Sequence, residues 1–321
     1  MTGRDEWNGC RYAAKPSPMY ESYFLRANHP AKAQAFWIRY TIYHGRSLES
    51  EPEAELWLAL FDDGKAIAGG HQSIPLSQTT WNQGQLNVRF PGDISLHASE
   101  AKGKLNIEGT TYEWSLEWKG EAAPMLMLSQ GLYRGGFPKA KAVVPSPMVQ
   151  FQGKISGGDV DWEISDWLGS QNHNWGSQHT DAYAWGQVMG FDNAPDASLE
   201  CATARLKLGG MFWTPPLTVA CLRVEGREYR FDSLLRAVRT RGAFEPGHWI
   251  TQISNGQETL EVTMECDEDA IVSLPYRNPS GGMKTCLNSK VARAEVRLCM
   301  KNGEEMVLQT QHRAAFEVLK D

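Results

Sequence analysis

Apolar residues in this chain recur at every second position, and no long segment repeats them at helical spacing. Alternation of that kind marks extended chain, because successive side chains of a strand point to opposite faces. Phe36, Ile38, Tyr40 and Ile42 fall on one face, and Trp37, Arg39, Thr41 and Tyr43 on the other. Both faces carry large side chains, as a strand covered on both sides requires. Turn signals punctuate the runs. Asp63-Gly64, Gly157-Gly158-Asp159, Asn255-Gly256 and Asn302-Gly303 all supply the positive φ that tight hairpins need. About twenty short strands joined in this way predict an all-β chain of antiparallel barrels or curved sandwiches, which also leaves few exposed strand edges.

At 321 residues the chain suggests two such domains. Residues 1–18 read as a flexible tail, 19–147 as an N-terminal β-domain and 148–321 as a C-terminal one, with Pro145-Ser146-Pro147 as the linker candidate. The net charge is −6 and the basic residues are scattered, which argues against a nucleic-acid partner. No run approaches the ~18 apolar residues of a membrane span, and the first twenty residues lack the apolar core of a secretion signal. Six cysteines without a CxxC pair read as reduced thiols in a cytoplasmic protein, although counting alone leaves a disulfide among the last five open.

The stretch from Ser170 to Val188, SQNHNWGSQHTDAYAWGQV, differs from the rest. Its first half is loop-like, rich in Asn and Gly. Its second half alternates: Asp181, Tyr183, Trp185 and Gln187 share one face, and Ala182, Ala184 and Gly186 the other. The small face allows a neighbouring layer to approach closely. The mixed face suits the lining of a cavity better than a dry core, although buried aromatics often only pack.

Several chemistries can be weighed on these residues. His173, His179 and Asp181 supply metal-ligand types, but strand geometry works against their convergence, so no metal is expected. No GxSxG elbow and no phosphate-binding glycine pattern is present, so no cofactor is expected. In GGMKTCLNSK, Lys284, Cys286, Asn288 and Lys290 alternate onto one polar face, read here as a sheet end with solvated lysines. What fits best is a carboxylic acid beside aromatic walls. Desolvated Asp181 would stay neutral and could protonate a double bond. Trp175, Tyr183, Trp185 and Trp213 would stabilise a developing cation at about 1–2 kcal/mol each when dry. His173 and His179 would relay protons. Asp166 and Glu21 are secondary acids, and the alternative reading of Asp181 is a turn or strand-end residue bonding its own backbone.

The segments YESYFLRANHP, AFWIRYTI, HNWG with YAWGQV, and GGMKTCLNSK resemble the AttH-like, carotenoid 1,2-hydratase (hydroxyneurosporene synthase) family, related to tocopherol cyclases and lipocalin-like Diels–Alderases. The likeness runs in order from about Tyr20 to Leu298. It implies two consecutive lipocalin-like β-barrel domains and a cavity near their interface. It also implies an apolar isoprenoid- or polyketide-like substrate, and hydration or cyclisation without metal or cofactor. Asn174, Trp175 and Gly176, then Tyr183, Trp185 and Gln187, match the family's block and are expected to contact substrate. The alternatives are a carrier of a hydrophobic, lipid-like ligand and a sugar-binding sandwich, since Trp rows also stack sugars.

Overall fold

The computed structural model describes residues 3–12, 18–46, 51–209 and 211–320. Among them the chain is dominated by strand, arranged in two large antiparallel sheets and one two-stranded ribbon. The first sheet places Met19–Asn28 between Ala35–His44 and Val160–Gly176. Glu53–Asp62 and Lys65–Pro75 continue one side, and Ala140–Gly157, Thr110–Lys119 and Glu100–Ile107 the other. The sheet curls until its flanks meet: Gln72 Nε2 donates to the Asn106 carbonyl at 3.3 Å. The second sheet centres on Ala182–Met189, between Ser198–Arg205 and Glu305–Lys320, with Met283–Met300 beyond. It curls likewise, Thr251 Oγ1 lying 2.9 Å from Thr218 Oγ1 across the fold. These are the two lipocalin-like β-units expected from the sequence.

Each curled sheet wraps its own apolar interior, Tyr23, Phe36, Ile38 and Phe151 in the first, Val188, Leu199, Trp249 and Phe316 in the second. Their outer faces stack on each other through a third apolar cluster that includes Phe24, Trp37, Trp57, Trp185, Tyr276 and Leu319. Burying one indole removes ~150–250 Å² from water, on the order of 4–6 kcal/mol before entropy is charged against it. Polar staples fix the stacking. Fully buried Arg26 donates to the carbonyls of Gln187 (3.3 Å) and Arg313 (2.9 Å), and Asn28 to that of Lys290 (2.7 Å).

Three expectations change. Pro145-Ser146-Pro147 lies within strand Ala140–Gly157, where the pairing register shifts on both sides of Ser146. Proline has no N–H to give a ladder, so it is accommodated at bulges, and the break seen in sequence is a bulge within a strand. The chain passes from the first sheet to the second between Gly176 and Ala182. At the N-terminus, residues 1, 2 and 13–17 of the expected tail lie outside the described residues. Gly3–Asn8 forms a helix whose Trp7 is buried against Tyr133 (5.1 Å between centroids), so an apolar anchor holds this segment down. Finally, Lys284 and Lys290 are not solvated: both are buried, because their face of Met283–Met300 points at the first sheet. All six cysteines are free thiols.

Candidate functional site

Between the stacked faces lies a cavity of about 210 Å³. The strand register explains its walls. Tyr183 pairs with Ala204, Trp185 with Ala202 and Gln187 with Glu200, so these six side chains share the face turned to the first sheet. On the other flank Trp185 pairs with Glu317. Small Ala202 and Ala204 leave space beside the large rings, and the first sheet closes that space with Tyr20, Phe24, Trp37 and Arg39. Gly186, on the opposite face, lets the second sheet's interior come close: a Cβ there would lie 2.8 Å from Trp249 Cζ3 and collide with Met264.

Tyr183, Trp185, Asn174, His173 and His179 line the cavity. Trp185 stands edge-on to Phe24, centroids 6.0 Å apart. His179 stacks on Tyr20 at 4.1 Å and on Tyr276 at 5.4 Å. Burial, reinforced by the positive charges of Arg39 and Lys284, pushes its imidazole down to about 3, so it is neutral at neutral pH. His173 is tied at both ring nitrogens, Nδ1 to the Trp7 carbonyl (2.6 Å) and Nε2 to Glu21 (2.9 Å). Burial alone would raise the Glu21 carboxyl. Bonds from His173 and from the backbone N–H groups of Arg11 and Tyr12 instead hold it below its ordinary range.

The other sequence candidates lie elsewhere. Asp181 is outside the cavity lining; its Oδ2 accepts the Lys207 N–H at 2.9 Å, and its carbonyl accepts Lys284 Nζ at 2.5 Å. Gln187 is wholly buried in a polar knot with Ser170 and Asn172, each at 2.8 Å. Trp175 packs beside Tyr133 in a side cluster. Trp213 is 38% exposed on the ribbon, with Lys207 Nζ 4.8 Å from its ring. Asp166 meets Gln152 at the surface. Among the described residues no three of His, Cys, Asp and Glu gather as a metal site.

Glu200 was not foreseen. It lines the cavity and is 1% exposed. Desolvation pushes its carboxyl up to about 8, opposed only by a hydrogen bond from Trp185 Nε1 to Oε1 at 3.3 Å. An indole N–H can only donate, so the acid proton belongs on Oε2, which has no hydrogen-bond partner among the described residues. A carboxylic acid with a free O–H, neutral near pH 7 and walled by rings, can give a proton to a weakly basic carbon or oxygen. Its sequence signal was slight: one acid on an otherwise small-sided face, that of Ser198, Glu200, Ala202 and Ala204. Glu317, also lining the cavity, is instead paired with Lys290 Nζ at 2.9 Å.

Comparison with known proteins agrees with this architecture. A family model described as tocopherol cyclase-like matches residues 65–318. An uncharacterised protein of Mycobacterium tuberculosis, found in two strains, is 26% identical over 212 residues, 66% of this chain. The match spans 63% of the length of those curated relatives. Three solved structures share the fold. The AttH protein of Nitrosomonas europaea superposes with a TM-score of 0.59 at 15% identity, over 96% of this chain and 94% of its own. CghA gives 0.58 at 11%, over 95% and 88%. Kievitone hydratase from Nectria haematococca gives 0.55 at 9%, over 100% and 93%.

Proposed function

Because the chain belongs to the tocopherol cyclase-like family, we propose that it is a cofactor-independent hydratase or cyclase whose cavity between the two sheets takes an apolar, isoprenoid- or polyketide-like small molecule. The observation that carries this reading is Glu200, a neutral acid with an unengaged O–H in an aromatic-lined hollow. In the reaction, the Oε2 proton passes to one carbon of a double bond and leaves a cation on its neighbour. The π-faces of Trp37 and Trp185 stabilise that cation. Capture by water gives a hydrated product; capture by a hydroxyl or second double bond of the same molecule closes a ring. Either way one proton is released and returns to Glu200, so the enzyme is regenerated without an external reactant. Neutral His179 and the His173–Glu21 pair shape the polar side of the wall.

The test is incubation of the purified chain with a panel of polyene and prenylated phenol substrates in ¹⁸O-labelled water, followed by mass spectrometry. Wild type is expected to yield a product heavier by one labelled water, or an isomer of unchanged mass, and Glu200→Gln neither. If the chain carries bound lipid-like compounds from its host but converts none of the panel, it is a carrier and the acid has no catalytic role.

A further inference from the structure

The proton chemistry leaves one cavity group unexplained. Arg39, on strand Ala35–His44, lines the hollow and is 4% exposed. Its guanidinium lies 4.6 Å from the Tyr276 ring centroid and about 6 Å from those of Trp57 and Trp37, so rings cover it on several sides. Among the described residues only Nη2 finds a hydrogen-bond partner, donating to Ser22 Oγ at 2.8 Å, a neutral hydroxyl itself shared with Thr41 at 2.9 Å. Nε is buried with no partner. Burial works against its charge, but the fields of Tyr276, Glu55 and Glu317 outweigh burial and hold the guanidinium charged, while both carboxylates spend their hydrogen bonds elsewhere. Glu55 is held by Arg277 at 2.5 Å and Trp57 Nε1 at 3.0 Å, and Glu317 by Lys290 and Asn288, each at 2.9 Å. Lys141, the other cation on the lining, donates to the Pro138 carbonyl at 2.6 Å.

A guanidinium offers five donors in one plane, and removing it from water is costly unless acceptors replace the water. Here the fold supplies one acceptor. We infer that the cavity's ligand is amphiphilic, with an apolar body against Phe24, Trp37 and Trp185 and an anionic oxygen group, carboxylate, enolate or phenolate, taken by the free edge of Arg39. A pure hydrocarbon polyene leaves the guanidinium's free donors without an acceptor and is the poorer ligand. The inference rests on the proposed function in one respect, that this cavity is the substrate site. Arg39 would also set orientation: fixing the anionic end fixes which double bond of the body reaches Glu200 Oε2.

Two rigid probes that differ only at one end test this: 9-anthracenecarboxylate and 9-anthracenemethanol, titrated calorimetrically into the full chain at neutral pH and competed against each other. The carboxylate is expected to bind roughly tenfold tighter or more, as a charge-assisted pair in a dry site should. In Arg39→Met the ratio should fall to about one, and in Arg39→Lys it should stay above one. Equal affinities in wild type overturn the inference even if the Met variant cannot be made, and binding of the alcohol then leaves the cavity reading standing. If neither probe binds, the cavity is no ligand site and the proposed function falls with it.

Discussion

At the scale of the residue, the proposed chemistry turns on one carboxyl group and its surroundings. Glu200→Gln keeps the Trp185 hydrogen bond and the shape but removes the proton, so turnover should fall by roughly 10²–10⁴-fold while ligand affinity holds. Product formation against a matched binding titration checks this. The same substitution has a stability signature. Glu200 binds its proton more tightly in the fold, at about 8, than in the unfolded chain, whose value is 4.5. The unfolded chain therefore gains relative to the fold as pH rises from about 4.5 to about 8, and this group costs most above that window. Chemical denaturation near pH 9 should find Glu200→Gln more stable than wild type by on the order of 4 kcal/mol, and no different at pH 4. The sequence pointed to a neutral acid among rings at Asp181, whereas the cavity lining holds Glu200 and not Asp181. Asp181 shares a strand face with Tyr183 and Trp185 in the alternation, yet it precedes Ala182–Met189 and turns to the Lys207 N–H. Glu200 comes beside Trp185 only through pairing with the next strand, and pairing register is not written in either strand alone.

At the scale of the element, period-two alternation was enough to place most strands, and it correctly assigned the small face of Ala182–Met189 to a close-packed side. Gly186→Ala should lower stability by about 1–3 kcal/mol by overpacking against Met264 and Trp249, read as a drop in thermal midpoint. Alternation failed where a covered face is built from polar residues, because these look like solvent-facing ones. Met283–Met300 has such a face. Lys290 is wholly buried, 2.9 Å from Glu317, and its ammonium is pushed down by burial although Glu317 opposes this. Lys290→Met strands the Glu317 carboxylate and should cost roughly 3–5 kcal/mol in urea unfolding. Adding Glu317→Met should restore most of that loss, whereas solvated residues would show neither effect.

At the scale of the whole molecule, the site belongs to neither sheet. Glu200, Trp185 and Tyr183 come from the second, Arg39, Trp37 and Phe24 from the first, and the low polarity that keeps Glu200 protonated exists only where the two faces stack. That stacking was legible in sequence only through family resemblance, since periodicity shows that a strand is covered on both sides but not by what. The direct measurement is a pH titration of the carboxylic acid C=O stretch by difference infrared spectroscopy, comparing wild type with Glu200→Gln. A protonated Glu200 should show a carboxyl band at neutral pH that disappears with a midpoint near 8 and is missing from the variant. A wild-type spectrum with no such band at neutral pH would mean that Glu200 is ionised and the hollow wet, and would contradict the account.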